Sequence, residues 1–308
     1  METFCFADIY MLRFDGHGTD STMMHDMECN QQPADRLCAS IDRVGASLCI
    51  GLDPVLEKIP VELHSLSPIE AFRIFCTGVI EAVIQHAAVV KFQSACFERL
   101  GSSGVELLGD LRAFAHDQGF QIILDAKRGD IGISASHYAE AVTAEGPCDW
   151  VTVNPYLGVD GIIPFLDAGL GVFCLARTSN PSSDAIQKQL LEDGRTVAES
   201  IADLLHEVGD QYMGDSGWSN VGAVVGATKS IEAVQLRDRM PNQVFLMPGI
   251  GVQGAAISDV QPCFADGHGA LVTASRSVIY PESQDDWQSD IEHAAFKLAE
   301  ELKVGNIA

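Results

Sequence analysis

Eight short, apolar, β-branched runs alternating with longer segments of helical period predict an α/β protein folded as a single (β/α)8 TIM barrel. Two further observations favour a closed barrel over an open, doubly wound sheet of the same elements. Few of the runs alternate cleanly between apolar and polar residues, as expected for strands covered on both faces. Nearly every run also ends in a polar residue or turn: Asp53, Lys91, Asp125 with Lys127, Asn154, Thr178 with Ser179, Thr228, Gln253 and Arg276. In a barrel these ends meet at one mouth, whereas an open sheet spreads them along a line.

In chain order, strands are predicted over residues 47–53, 88–93, 121–127, 150–154, 171–177, 221–226, 244–248 and 270–275. Helices are predicted between and after them over 68–86, 104–118, 134–144, 195–208, 230–239 and 287–302, most of them amphipathic with acidic outer faces. Residues 1–33, rich in Met, Asp, Asn and Gln, read as a poorly ordered N-terminal extension, and residues 34–308 as the barrel domain. Asp8 and Arg13 interrupt the apolar stretch near the N-terminus, and no basic segment precedes it, which argues against a secretory signal.

The composition removes several classes of function. With 19 Lys and Arg against 43 Asp and Glu, the formal net charge is −24, a field that repels nucleic-acid backbones and anionic membrane surfaces alike. An anionic substrate would therefore need the few cations gathered in one place. No apolar run approaches the ~20 residues that span a bilayer. The nine cysteines are odd in number, widely spaced and without a C-x-x-C pair, which fits reduced core thiols in a cytoplasmic protein. The histidines form no H-x-H or H-E-x-x-H cluster, so spacing supports no metal site.

The densest chemical signal is Leu124-Asp125-Ala126-Lys127-Arg128-Gly129-Asp130-Ile131-Gly132, where an apolar strand runs into a cluster of charge. On an extended strand Asp125 and Lys127 point to the same side. Gly129 permits a turn that returns Asp130 toward a pocket, its own or a neighbouring subunit's. A lysine flanked by carboxylates stays protonated. Read alone, D-x-K-x-x-D also fits a solvated ion-pair cluster at a strand exit.

The longer string, together with Ala34-Asp35-Arg36-Leu37, Gly51-Leu52-Asp53-Pro54, Val90-Lys91-Phe92-Gln93 with Phe97-Glu98, and Val153-Asn154-Pro155-Tyr156-Leu157-Gly158, resembles the orotidine 5'-phosphate decarboxylase family, particularly its longer-chain bacterial subgroup. The likeness continues through Arg177-Thr178-Ser179-Asn180-Pro181, Val225-Gly226-Ala227-Thr228, Pro248-Gly249-Ile250-Gly251-Val252-Gln253-Gly254 and Ala274-Ser275-Arg276. It covers residues 34 to 280 or so. Phe92, Cys96 and Ser134 depart from the residues usual there; none of them removes a charge, and Ser134 keeps the hydroxyl.

The resemblance implies a cofactor-free decarboxylation of orotidine 5'-phosphate to uridine 5'-phosphate, the last step of de novo pyrimidine nucleotide synthesis. Lys127 would protonate C6 of the ring, within a charge network of Lys91, Asp125, Lys127 and Asp130. Asp130, with Ile131, would be supplied to the partner's site across a homodimer interface. Asp53 and Lys91 would hold ribose hydroxyls, Ser179 would read the pyrimidine edge, and Gln253 would run from base to phosphate. Arg276, with N–H groups near Gly251 and Ser275, would grip the phosphate, and Ser134 would border the substrate.

Rival readings make distinct demands on the same residues. A magnesium-dependent sugar-phosphate decarboxylase or synthase of the same barrel superfamily needs an acidic ligand near the second strand, where this chain has Lys91. A Schiff-base aldolase needs Lys127 neutral, against the influence of its carboxylates. A non-catalytic nucleotide binder has use for Asp53, Gln253 and Arg276 alone and none for the network.

Overall fold

A computed structural model of the protein, described over residues 31–250, 255–280 and 286–305, closes eight parallel strands into a barrel. The strands are β1 (Leu48–Leu52), β2 (Val89–Gln93), β3 (Gln121–Arg128), β4 (Trp150–Val153), β5 (Gly171–Arg177), β6 (Ser219–Val225), β7 (Gln243–Pro248) and β8 (Ala270–Ala274). Each pairs with the next, and β8 returns to β1 through Leu48↔Val272, Cys49↔Thr273 and Ile50↔Ala274. The predicted strands are all present, with ends shifted by at most two residues.

The outer helices are α1 (Pro33–Val44), α2 (Pro68–Val83), α3 (Ser102–Asp117), α4 (Gly132–Ala144), α5 (Ile163–Asp167), α6 (Val197–Gly209), α7 (Ser230–Arg239), α8 (Ile257–Val260) and α9 (Trp287–Glu301). Their starts are written in local chemistry. Ser67 with Glu70, and Thr196 with Glu199, form reciprocal capping boxes that satisfy free N–H groups at the first turns of α2 and α6. Helix α1 was not among the predicted helices. It lies across the N-terminal ends of the strands, where the Ala34 amide donates to Asn220 Oδ1 and Arg36 pairs with Asp149 at 2.9 Å.

Alternation along each strand divides the core in two. Leu48, Ile50, Val90, Phe92, Ile122, Leu124, Val151 and Val153 pack outward beneath the helices. Cys49, Val89, Ile123, Trp150, Phe173, Val244 and Leu271 fill the barrel interior, joined from below by Ala34, Leu37 and Ile41 of α1. The same parity fixes what lies one step higher. Lys91 follows Val89 inward, Asp125 follows Ile123, Thr152 follows Trp150, and Thr273 follows Leu271, so these polar groups line the barrel above its apolar layer. Among the described residues, no helix is long and apolar enough to cross a membrane, and Cys38, Cys49, Cys76, Cys96, Cys148, Cys174 and Cys263 are free thiols.

Candidate active site

The inward parity brings Asp53, Lys91, Gln93, Asp125, Lys127, Thr152, Ser179, Ser275 and Arg276 to the wall of one pocket of about 470 Å3 at the carboxyl ends of the strands. That volume is within the range of roughly 300–1,000 Å3 typical of small-molecule sites. Leu175, Val224 and Leu246 contribute an apolar surface to the same pocket.

Asp125 is the hub. Its Oδ2 accepts from Lys91 Nζ at 2.9 Å, and its Oδ1 accepts from Lys127 Nζ at 2.5 Å and from Thr152 Oγ1 at 2.9 Å. Burial raises the pKa of this carboxyl, but the two ammonium groups and their hydrogen bonds overcome burial and hold it well below the usual carboxylate range. Burial lowers the pKa of the Lys91 ammonium, and the charge and hydrogen bond of Asp125, together with Cys49 and Asp53, more than restore it, so Lys91 stays a cation inside the barrel. The two lysines differ in setting: the Lys91 side chain is 9% exposed, whereas that of Lys127 is 46% exposed and projects into the open pocket.

Plain strand alternation does not account for Lys127. Between Leu124↔Val151 and Arg128↔Val153, β3 advances four residues while β4 advances two, a bulge. Lys127 takes up the extra chain with φ = 48°, a left-handed backbone costing a non-glycine residue roughly 1–2 kcal/mol. Its amide donates to Thr152 Oγ1 at 2.9 Å in place of a ladder bond. The expected shared side for Asp125 and Lys127 is therefore reached by a bulge, not by an extended dipeptide step. Beyond it, Arg128 pairs with Glu98 at 2.8 Å and lies over the Tyr138 ring of α4.

Asp53 lies on the loop after β1. Burial raises its carboxyl pKa, with Ser275, Lys91 and Arg276 opposing the shift. Asp53 Oδ1 and Gln93 Oε1 are buried atoms without a hydrogen-bond partner, both on residues of the pocket wall. The Thr178–Asn180 turn is held by Gln187, whose Oε1 accepts from the Thr178 amide at 2.9 Å. Gln187 is backed in turn by Arg177, a buried guanidinium paired with Asp184 and Glu232.

Three expected residues are not on this wall. Asp130, Ile131 and Ser134 lie outside the pocket of their own chain, where Asp130 Oδ1 accepts from the Ile131 amide at 2.9 Å. The lysine is thus flanked by one carboxylate of its own chain, Asp125, and not two. Gly251 and Gln253 fall outside the described residues, as do residues 1–30 of the expected extension. Thr152, Gln93 and Gln187 belong to the wall without having been singled out from the sequence as site residues. Thr152 sits in a β-branched strand where threonine is also an ordinary packing residue, and Gln187 lies ten residues beyond the strand end that it supports.

A closed parallel barrel that gathers ionised side chains into a pocket at the carboxyl ends of its strands defines a TIM-barrel enzyme. Comparison with known proteins gives the family. The chain belongs to the orotidine 5'-phosphate decarboxylase / HUMPS family, whose model matches residues 46–284. It is 36% identical over 298 residues to the orotidine 5'-phosphate decarboxylase of Rhodopirellula baltica, covering 88% of this chain and 98% of that one. It is 38% identical over 262 residues to that of Deinococcus radiodurans, covering 83% and 91%. Among solved structures, Leishmania donovani OMP decarboxylase matches with a TM-score of 0.73 and 30% identity, over 90% of this chain and 99% of that one.

Proposed function

We propose that this chain converts orotidine 5'-phosphate to uridine 5'-phosphate without a cofactor, with Lys127 as the proton donor. The observation that carries the reading is the Lys91–Asp125–Lys127 cluster, two fixed ammonium groups on one buried carboxylate, on the wall of a pocket that also presents Arg276. The names of the relatives support the same substrate.

Breaking the bond from C6 to the carboxyl group leaves the electron pair on C6 in the ring plane, with no adjacent carbonyl to absorb it. Stabilisation must be electrostatic, and a preorganised ammonium supplies it. Lys127 then gives one proton to C6 as carbon dioxide departs, and solvent restores the ammonium. Asp125 fixes the direction of Lys127, and Lys91 keeps Asp125 ionised. Arg276 and Ser275 would take the phosphate, Asp53 and Lys91 the ribose hydroxyls, and Ser179 the base, with Gln253 and Gly251 completing the phosphate end. Contacts remote from the reacting carbon would then hold the ring for reaction.

The loops after β3 and β4 support a homodimer with shared sites. Ile131, Tyr156 and Leu157 are exposed there, as is Ile133 in the first turn of α4, and Gly161 packs against the carbonyl of Asp130. Asp130, Ile131 and Ser134, outside their own pocket, would border the partner's.

Loss of orotidine 5'-phosphate absorbance in metal-free buffer with excess EDTA tests the reaction. Turnover unchanged by EDTA is expected. No conversion, or conversion restored only by a divalent cation, would overturn it, the latter in favour of the magnesium-dependent rival.

A further inference from the structure

Both ends of Lys127 return to one carboxylate oxygen, the backbone amide through a single hydroxyl and the ammonium directly. The Lys127 amide donates to Thr152 Oγ1 at 2.9 Å, Thr152 Oγ1 donates to Asp125 Oδ1 at 2.9 Å, and Lys127 Nζ donates to that same oxygen at 2.5 Å. We propose that Thr152 is a positioning residue for the proton donor, closing a ring that couples the backbone of Lys127 to its ammonium. The inference rests on the decarboxylase reading above.

The bulge makes such a group necessary. Where β3 carries two more residues than β4, the Lys127 N–H has no strand carbonyl opposite, and its partly buried hydrogen bond goes to Thr152 Oγ1 instead. Thr152 is the β4 residue between Val151 and Val153, the two partners that bound the bulge, and it points inward, 1% exposed. Its one proton is given to Asp125, which leaves its lone pairs free for the amide. Valine at this place would keep the shape and lose both bonds. The left-handed turn at Lys127 would lose its tether, and the Asp125 oxygen that aims Nζ would lose one of its two donors. Serine would keep the ring.

Wild type, Thr152→Val and Thr152→Ser are compared as full chains for kcat, KM, uridine 5'-phosphate binding and Tm. Misplacement of a reacting group by a fraction of an ångström to 1 Å predicts a kcat loss of roughly 10- to 100-fold for Thr152→Val. Its KM and product affinity should stay within about threefold, and Thr152→Ser should keep kcat within about threefold, on the same reasoning. Should the valine variant not fold, Thr152→Ala takes its place against Thr152→Ser. Wild-type turnover with an equally active valine or alanine variant overturns the inference, as does a loss confined to KM or one that serine fails to rescue. A wild type that does not decarboxylate the nucleotide sinks the decarboxylase reading instead.

Discussion

Replacing Lys127 by alanine separates chemistry from stability, because the two lysines on Asp125 stand in opposite settings. A unit positive charge ~4 Å from a forming carbanion contributes about 4 kcal/mol at an effective dielectric of 20. At 1.36 kcal/mol per decade, its removal lowers kcat by about three decades or more. The fold should hardly notice. The Lys127 side chain is 46% exposed, and such pairs stabilise by roughly 0–1 kcal/mol, a Tm change of at most about 2–4 °C in domains of comparable size. Asp125 keeps Lys91 and Thr152 as donors. The assay is loss of orotidine 5'-phosphate absorbance, with uridine 5'-phosphate binding by calorimetry and Tm measured alongside. The expected result is turnover lower by on the order of 10³-fold, with product still bound and Tm nearly unchanged. Turnover within tenfold of wild type would refute the assignment of the proton donor, and a collapse of Tm would refute the division between the two lysines.

Asp125→Asn should do the reverse to the fold, since it strands the buried Lys91 ammonium without its countercharge; breaking such a pair costs about 3–5 kcal/mol, read as a lowered urea midpoint. The folded-state pKa of Asp125 is depressed, so its stabilisation is complete above the unfolded value of about 3.9 and drains as pH falls toward the folded value. Denaturation curves from neutral to acid pH should therefore fall less steeply for Asp125→Asn than for wild type. For the shared site, mixing inactive Lys127→Ala with inactive Asp130→Ala should restore part of the activity as mixed dimers assemble one intact pocket; isolated heterodimers with no activity would exclude it.

The barrel was readable because strand parity and strand-end chemistry agree: β-branched runs set the ladder, and Asp53, Lys91, Asp125 with Lys127, Thr178 with Ser179, and Arg276 line the mouth. The string from Asp125 to Gly132 announced the charged cluster. Its geometry was hidden, since a bulge leaves no mark in a run such as Ala126-Lys127-Arg128, and the acceptor that permits it, Thr152, is supplied by another strand. Helix α1 escaped because the alternating pattern begins after it; its apolar Leu37 and Ile41 serve the barrel interior from below. Asp130 could be placed from the sequence only on a loop, and a single chain leaves it off the wall of its own pocket.

The pairing of β8 with β1 orders events during synthesis. Lys91, Asp125 and Lys127 emerge on β2 and β3, well before Ser275 and Arg276 emerge after β8. Until that final seam zips, a nascent chain holds the acid–ammonium pair without the groups assigned to the phosphate, and contacts so distant in sequence are slow to form. Competence should accordingly arrive in one step, with the last strand, and truncated translation products should be unable to sequester the nucleotide.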